Sequence, residues 1–388
     1  MKLREPVALV HLRRTPMGKL GGQLAALEPY ELLARALAPV ALATGVRPDD
    51  VLVGNVRNSI GNIARVGALA AGLPETVPAT TIDRQCASSL EAVAVAAARL
   101  NAGLGEAFLV GGVESASRCP WLFEKTTRPF AYQEPRPYRV RLATDEAGDP
   151  PMGEIAELLA DEFAITREAM DAFAAESHRR AAAAHGSGAL AEEIVTLELP
   201  GRKGGTTRVD RDETVRTDTS AEQLAALRPV FRRDGRVTAG NSSPLSDGAA
   251  ACVVASRAAC ERHGWTPDAW LTGITTVALA PPRMGMGPAL AIPRLLEACG
   301  LALDDVDLVE INEAFAAQIL AVLSEYPVPS GRLNVHGGAV ALGHPFGATG
   351  VRLLATLTGA MKRRGARRGV ASLCIGGGQG MAVLIERT

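Results

Sequence analysis

Apolar residues in this chain fall into short runs closed by glycine, separated by longer alanine-rich stretches. Val7-Ala8-Leu9-Val10, Phe108-Leu109-Val110 ahead of Gly111-Gly112, and Leu373-Cys374-Ile375 ahead of Gly376-Gly377-Gly378 have the length and bounds of strands. Leu90 to Leu100 and Val351 to Met361 read as helices. The first is apolar nearly all round and is expected to be buried. Strands and helices alternating in this way predict stacked α/β layers.

The pattern occurs twice. Gly45-Val46-Arg47-Pro48-Asp49-Asp50-Val51 is echoed by Gly300-Leu301-Ala302-Leu303-Asp304-Asp305-Val306, and each copy leads through a short apolar run to an asparagine, Asn55 or Asn312. A Gly/Ser-rich helix start, a helix and a strand ending in Gly-Gly follow in both. The offset of about 255 to 265 residues is too long for a solenoid, so two copies of one α/β domain are expected.

Between the copies the texture changes. Residues 118–151 are rich in proline, arginine and aromatics without sustained periodicity, and so long an irregular segment in a compact protein is usually functional. Glu154 to Ala184 reads as helix, and Arg202 to Arg216 as charged strands and turns. The expected organisation is a first domain at 1–117 and 246–264, an inserted loop domain at 118–245, and a second copy at 265–388.

Charge narrows the function. The 388 residues hold 41 Lys+Arg against 42 Asp+Glu, a formal net charge of -1, which lacks the basic excess of a nucleic-acid binder. No run of about 18 apolar residues suits a membrane span, and the first residues lack the apolar core of a signal peptide. Six cysteines without a C-x-x-C pair point to reduced thiols in a cytoplasmic protein, not to disulfides or a zinc site.

Four residues stand out chemically. Cys86 lies between strand-like Ala79-Thr80-Thr81-Ile82 and the buried helix, whose positive end favours a thiolate; a packed core cysteine is the plainer alternative. Cys374 closes a strand just before Gly376-Gly377-Gly378-Gln379-Gly380. Free N–H groups in such a run can bind an oxyanion, although a tight hairpin turn also explains the glycines. A phosphate loop is a third option, but neither G-x-x-x-x-G-K nor a strand-linked G-x-G-x-x-G occurs. His344, framed by glycines and followed by Pro345, can take a thiol proton or donate to a carbonyl oxygen. His11, His178, His185 and His263 lack that frame and are treated as background. Asn312, after strand-like Val309-Glu310-Ile311, can orient a water or cap a helix.

Taken in order, Gln85-Cys86-Ala87-Ser88-Ser89, Gly111-Gly112-Val113-Glu114-Ser115, Thr238-Ala239-Gly240-Asn241-Ser242-Ser243, Asp247-Gly248-Ala249-Ala250-Ala251, Asn312-Glu313-Ala314-Phe315-Ala316, Gly343 through Gly350 and Cys374 through Gly380 resemble the motif series of the thiolases. The resemblance spans nearly the whole chain. It implies a duplicated, five-layered α/β/α/β/α fold with an inserted loop domain, a homodimer or homotetramer, and CoA-dependent cleavage of 3-ketoacyl-CoA or the reverse Claisen condensation. CoA and acyl-CoA are then substrates, with no permanently bound cofactor and no metal.

By the same resemblance Cys86 is the nucleophile that carries the acyl group, His344 its base, and Cys374 the acid/base at the reacting carbon or sulfur. Asn312, through a water, forms one oxyanion hole with His344, and the N–H groups of Cys86 and Gly376 form the other. Arg216 corresponds to an adenine-nucleotide contact, Ser243 to a pantetheine contact, and Met152, Met284 and Phe315 to apolar pocket walls. Arg228, Arg232 and Arg233 are further arginines of the loop domain, the last two reading as solvated surface.

Several positions depart from the family. Ser89 stands where biosynthetic acetoacetyl-CoA thiolases usually carry Gly, which leans toward the degradative 3-ketoacyl-CoA type. His336 replaces a usual Asn, Pro151 a common His, Ala116 a usual Met, and Pro244 a common Gly. Segment 118–151 has little resemblance to the usual covering loop. The rival readings are a dedicated biosynthetic condensing enzyme and a catalytically silent acyl-CoA-binding relative. A Cys/His hydrolase is the third, and the second cysteine argues against it.

Overall fold

The structure is a computed structural model that describes residues 1–126, 134–201 and 204–387. Parts of the irregular 118–151 segment and of the 202–216 stretch, at 127–133 and 202–203, lie outside the described residues. In chain order the first elements are β1 (Lys2–Arg14), β2 (Gly18–Lys19), α1 (Pro29–Thr44), β3 (Asp50–Gly54), α2 (Ile63–Ala70), β4 (Ala79–Ile82), α3 (Ser88–Asn101) and β5 (Ala107–Ser115). Next come α4 (Met152–Glu162), α5 (Arg167–Gly186), β6 (Leu197–Pro200), β7 (Thr206–Val209) and α6 (Ala221–Ala225). The chain continues through β8 (Ser246–Ala255), α7 (Arg257–His263), β9 (Ala269–Ala278), α8 (Gly287–Cys299) and β10 (Leu308–Ile311). It ends with α9 (Ala316–Glu325), α10 (Ala339–Leu342), α11 (Thr349–Arg364), β11 (Arg368–Ile375) and β12 (Gln379–Glu386).

Among the described residues the strands form one ten-stranded sheet, ordered β10-β11-β12-β9-β1-β8-β5-β3-β4 with β2 beside β8, and a separate β6-β7 ribbon. Apart from the edge strand β4, the order reads the same from both ends. In each half a parallel pair, β3 with β5 or β10 with β11, is followed by an antiparallel return strand, β8 or β12. The halves join edge to edge where β1 runs antiparallel to β9, pairing Val7 with Leu271 and Leu9 with Ala269. The repeat read from the sequence is therefore a repeat of structure.

Side-chain alternation along the strands then builds the layers. Leu33, Leu37 and Ile63 of α1 and α2 pack on Val51, Val53 and Leu109 at one outer face. Ile292, Leu295 and Ile319 of α8 and α9 pack on Val309, Ile311 and Leu384 at the other. Between the halves lie α3 and α11, which meet Leu52, Phe108 and Val110 from the first half and Leu373, Met381 and Val383 from the second. Phe108 and Val110 face inward while Leu109 faces outward, so one strand serves two cores. Five layers result.

The two central helices approach closely at their N-termini. Val351 N–H donates to Ser89 Oγ (3.1 Å), and Gly350 lies so near the Leu90 main chain that any Cβ there would collide with it.

Two expectations need correction. The stretch Glu154 to Ala184 is two helices, because Ala164 takes a left-handed φ of 50° and Thr166 caps α5 by accepting from Ala169 N–H (3.2 Å). Within 204–216 only Thr206–Val209 is a strand, hydrogen-bonded to Leu197–Pro200. The long connection 116–245 joins β5 to β8, whereas its counterpart between β11 and β12 is the short turn 376–378. No helix among the described residues is long and apolar enough to cross a membrane.

Gly350→Ala is expected to destabilise the protein by about 1–3 kcal/mol through overpacking. Gly359→Ala in the same helix meets only the Glu193 carboxylate, at 3.9 Å, and should be neutral or stabilising. Thermal unfolding of the two variants compares them directly; equal melting points would refute the proposed tightness of the α3–α11 contact.

Candidate active site

The chemically distinctive residues gather at strand ends and helix starts. Cys86 follows β4, Asn312 follows β10, Cys374 lies one residue before the end of β11, and His344 occupies the turn between α10 and α11. Asn312 N–H donates to Ser372 O (2.9 Å), which ties it to the strand that carries Cys374. It caps no helix, since α9 starts at Ala316.

A strained turn aims Cys86. Gln85, just before it, takes a left-handed φ of 47°, a conformation that a non-glycine residue keeps only when its surroundings enforce it. Asp83 accepts from Gln85 N–H (2.7 Å), and the Ser88 hydroxyl donates to Gln85 O (2.6 Å) while accepting from Arg84 N–H (2.9 Å). The N–H groups of Gly376 and of Cys86 itself point at the Cys86 sulfur.

Burial pushes the Cys86 thiol up to about 11, against the pull of those two N–H groups and with help from Glu114 and Asp83. Cys374, fully buried, is pushed up by burial and by Cys86 beside it. Burial thus opposes the thiolate that the helix end favours. Helix α3 begins two residues later, at Ser88.

His344 is only 3% exposed, and burial pushes its imidazole down to about 3, with Arg352 adding to the effect. It is therefore neutral at rest. Its Nδ1 lies 2.7 Å from Thr349 Oγ1, its Nε2 lies 3.3 Å from Asn312 Nδ2, and its N–H donates to Ser246 Oγ (3.2 Å). Glu114 buttresses the turn, accepting from Gly347 N–H (3.0 Å) and Arg57 N–H (2.9 Å); burial raises its carboxyl to about 7. Leu142, from the irregular segment, presses on Gly376, Gly377 and so roofs the glycine turn.

A cavity of about 240 Å³ opens beside this region, lined by Lys19, His178, Thr214, Arg216, Ser242 and Pro244 among others. Arg216 is exposed there, and its N–H donates to His178 Nδ1 (3.1 Å). His178, treated as background in the sequence, is held down to about 4 by burial and by Arg216. Ser243 borders the cavity, but its hydroxyl is committed to Ala314 O (2.9 Å). Phe315 meets Phe231 edge-on at 6.2 Å, Met152 is half-buried, and Met284 is core, 3% exposed. Arg232, half-exposed as expected for surface, pairs with Glu154 and Asp161 (both 2.6 Å). Arg228 and Arg233 are exposed. A larger cavity, of about 600 Å³, lies around Arg257, Trp270 and Arg387 and is lined by none of the predicted site residues.

Among the departures from the family pattern, Ser89 is fully buried and ties α3 to α11. His336 lines a separate cavity with Glu176, Arg180 and Arg364. Asn334 instead serves the site's support, bonding both backbone groups of Ile311 and the Glu313 carboxylate (2.8 to 2.9 Å).

Family models for the thiolase N-terminal and C-terminal domains match residues 7–258 and 265–387. The chain belongs to the thiolase family. It is 42% identical to an acetyl-CoA acetyltransferase of Chromobacterium violaceum, over 98% of this chain and 99% of that protein. A beta-ketoadipyl-CoA thiolase of Pseudomonas aeruginosa is also 42% identical, over 96% of this chain and 97% of its own. The crystal structure of human mitochondrial 3-ketoacyl-CoA thiolase superimposes with a TM-score of 0.93 at 37% identity, covering 99% of both chains. Its complex with CoA gives 0.92 at 37% identity, covering 100% of this chain and 99% of that one. This thiolase is an acyltransferase.

Sequence reasoning missed Thr349, Arg352 and Glu114 as supports of the site. The available signal was polarity in the wrong place: Thr349, Arg352 and Thr356 lie about one turn apart within the buried part of α11, whose exposed charges are confined to the last turn.

The raised thiol has a direct consequence. At pH 8 the thiolate fraction of Cys86 should be roughly 100-fold or more below that of an ordinary cysteine. Alkylation of Cys86 by iodoacetamide, followed by peptide mass spectrometry, should therefore keep rising beyond pH 9. A plateau near pH 7 would mean a preformed thiolate instead.

Proposed function

We propose that this thiolase cleaves short- or medium-chain 3-ketoacyl-CoA with CoA, through an acyl thioester on Cys86. The observation that carries the reading is the meeting of the Cys86 sulfur with the Gly376 N–H and with a second thiol, Cys374.

In the first half-reaction the Cys86 sulfur attacks the 3-keto carbon while its proton passes to His344 Nε2. Because burial disfavours charge on both groups, transfer accompanies attack instead of preceding it. The oxyanion is received by the N–H groups of Cys86 and Gly376, a donor pair whose members are each worth about 100- to 1000-fold in rate. The C2–C3 bond then breaks, leaving the acyl group on Cys86. The enolate oxygen is stabilised from the Asn312–His344 side, and the Cys374 thiol supplies the proton to C2.

In the second half-reaction the Cys374 thiolate takes the CoA thiol proton, CoA sulfur attacks the thioester, and Cys86 recovers its proton from His344. Splitting the transfer through a thioester replaces one hard step with two easier ones. The reverse sequence, with the same residues, is the Claisen condensation; relatives named acetyl-CoA acetyltransferase at 42% identity favour this as the second reading.

For CoA, the reading places Arg216 and its neighbours at the nucleotide end and Ser243, Met152, Met284 and Phe315 along the pantetheine and acyl path. Ser243 contributes by shaping the turn, since its hydroxyl is occupied. We assign 118–245 as the inserted CoA-binding domain between the flanking thiolase domains at 1–117 with 246–264 and at 265–388. We further assign a cytoplasmic homodimer or homotetramer acting on fatty acyl chains.

Purified protein with acetoacetyl-CoA and CoA should consume the 3-ketoacyl-CoA absorbance, and Cys86→Ala should abolish turnover. A series of longer 3-ketoacyl-CoAs should peak at short or medium length. Turnover only in the condensation direction would favour the biosynthetic reading, and none on any length would refute the thiolytic one.

A further inference from the structure

Arg352 stands on α11, one turn beyond Thr349, and is fully buried. Its Nη2 donates to Asn312 Oδ1 (3.3 Å). A guanidinium has donors only, so Asn312 turns its oxygen to Arg352 and its NH2 to His344 Nε2 (3.3 Å). An amide NH2 also has donors only, which leaves Nε2 as an acceptor and puts the imidazole proton on Nδ1. That proton goes to Thr349 Oγ1 (2.7 Å), whose own proton is committed to Pro345 O (2.9 Å). The chain from Arg352 to the Pro345 carbonyl thus runs in one direction, with a donor-only group, Arg352, at the end that meets Nε2 through Asn312 and an acceptor at the other.

We propose that Arg352 is a positioning residue that, through Asn312, holds His344 in the Nδ1–H tautomer with Nε2 ready to accept a proton. The surrounding contacts favour this role over simple ion pairing. Glu310 on β10 is the nearest carboxylate, yet it lies 3.9 Å from Arg352 Nη1, and both side chains are 1% exposed. Arg352 Nε and Nη1 and Glu310 Oε2 find no hydrogen-bond partner among the described residues. A buried pair with idle donors is poorly arranged for stability. The hydrogen bond that Arg352 does make is the one to Asn312.

Without Arg352 the Asn312 amide is free to turn over and offer Oδ1 to a proton on Nε2. The guanidinium's repulsion of an imidazolium is lost at the same time. His344 then populates the other tautomer and protonates more readily. The groups in contact with His344 are Thr349 on α11, Asn312 just after β10, Ser246 on β8 and the Phe346 ring; Glu114 lies under the Gly347 turn, and the charged groups facing Arg352 are Glu310, Glu313, Glu193 and Arg14. The inference rests on His344 serving as the base, and its primary readout does not depend on turnover.

That readout is nitrogen NMR of the protein labelled at its 6 histidines, with His344→Gln to assign the ring signals, over about pH 5 to 9. Wild type should show Nδ1–H at His344 and no titration in that range. The double variant Glu310→Gln/Arg352→Met leaves no buried carboxylate unpaired. It should gain Nε2–H or titrate within the range, with kcat down by about 100-fold, KM nearly unchanged, and the acid limb of the rate profile moved to higher pH. Arg352→Lys keeps a donor and should retain the wild-type tautomer with part of the activity.

An Nε2–H tautomer in wild type would overturn the inference. So would an unchanged tautomer and titration in a folded double variant. Should that variant fail to fold, the isosteric Asn312→Asp carries the test: it sets an acceptor against Nε2 and must produce Nε2–H, and a persistent Nδ1–H would refute the chain of donors. The expected tautomers in a wild type without turnover on any 3-ketoacyl-CoA would support this inference while overturning the assigned reaction.

Discussion

The close approach of two buried helix N-termini governs this molecule. Where Gly350 lies on the Leu90 main chain and Val351 N–H meets Ser89 Oγ, α3 and α11 fix the two halves against each other. Cys86 lies two residues before one helix and His344 five residues before the other, so the contact that closes the fold also positions both. Both helices direct positive dipole ends toward the same region. A larger residue at the crossing would separate parts of the site that belong to different halves of the chain.

Burial then determines how the site behaves electrostatically. Two thiols pushed upward and an imidazole pushed downward form a neutral resting constellation. The N–H groups of Cys86 and Gly376 are directed at the Cys86 sulfur, and the Asn312 amide at His344 Nε2; in the proposed reaction charge develops beside them. Preorganised donors in a desolvated site stabilise such charge more than water would. The cost is borne by the framework, in the left-handed Gln85 and in the buried Arg352, Glu310 and Glu114.

Function arises where the duplicated halves stop matching. Asn55 and Asn312 occupy equivalent places after β3 and β10. Asn55 Nδ2 donates to Val113 O (2.9 Å) and serves the framework, whereas Asn312 turns to His344. The β11–β12 connection is a short glycine turn that brings the Gly376 N–H to the Cys86 sulfur. Its counterpart between β5 and β8 is the long region that carries Leu142 over that turn and lines the adjacent cavity through Arg216 and His178.

The amino-acid sequence alone determined the α/β class, the duplication and the inserted region, because strand and helix periodicities and glycine punctuation are local. It also marked Cys86, His344, Cys374 and Asn312, whose glycine-framed motifs are contiguous. Tertiary structure decided the rest. That burial raises the Cys86 thiol and that Arg352 orients Asn312 both depend on neighbours distant along the chain, whereas the break of Glu154 to Ala184 at Ala164 is local, set by the Thr166 cap. A side chain's protonation follows from what replaces its water, and burial by several layers at once leaves no local trace in sequence. The helix start could be read from the order of residues; the desolvation that opposes its pull could not.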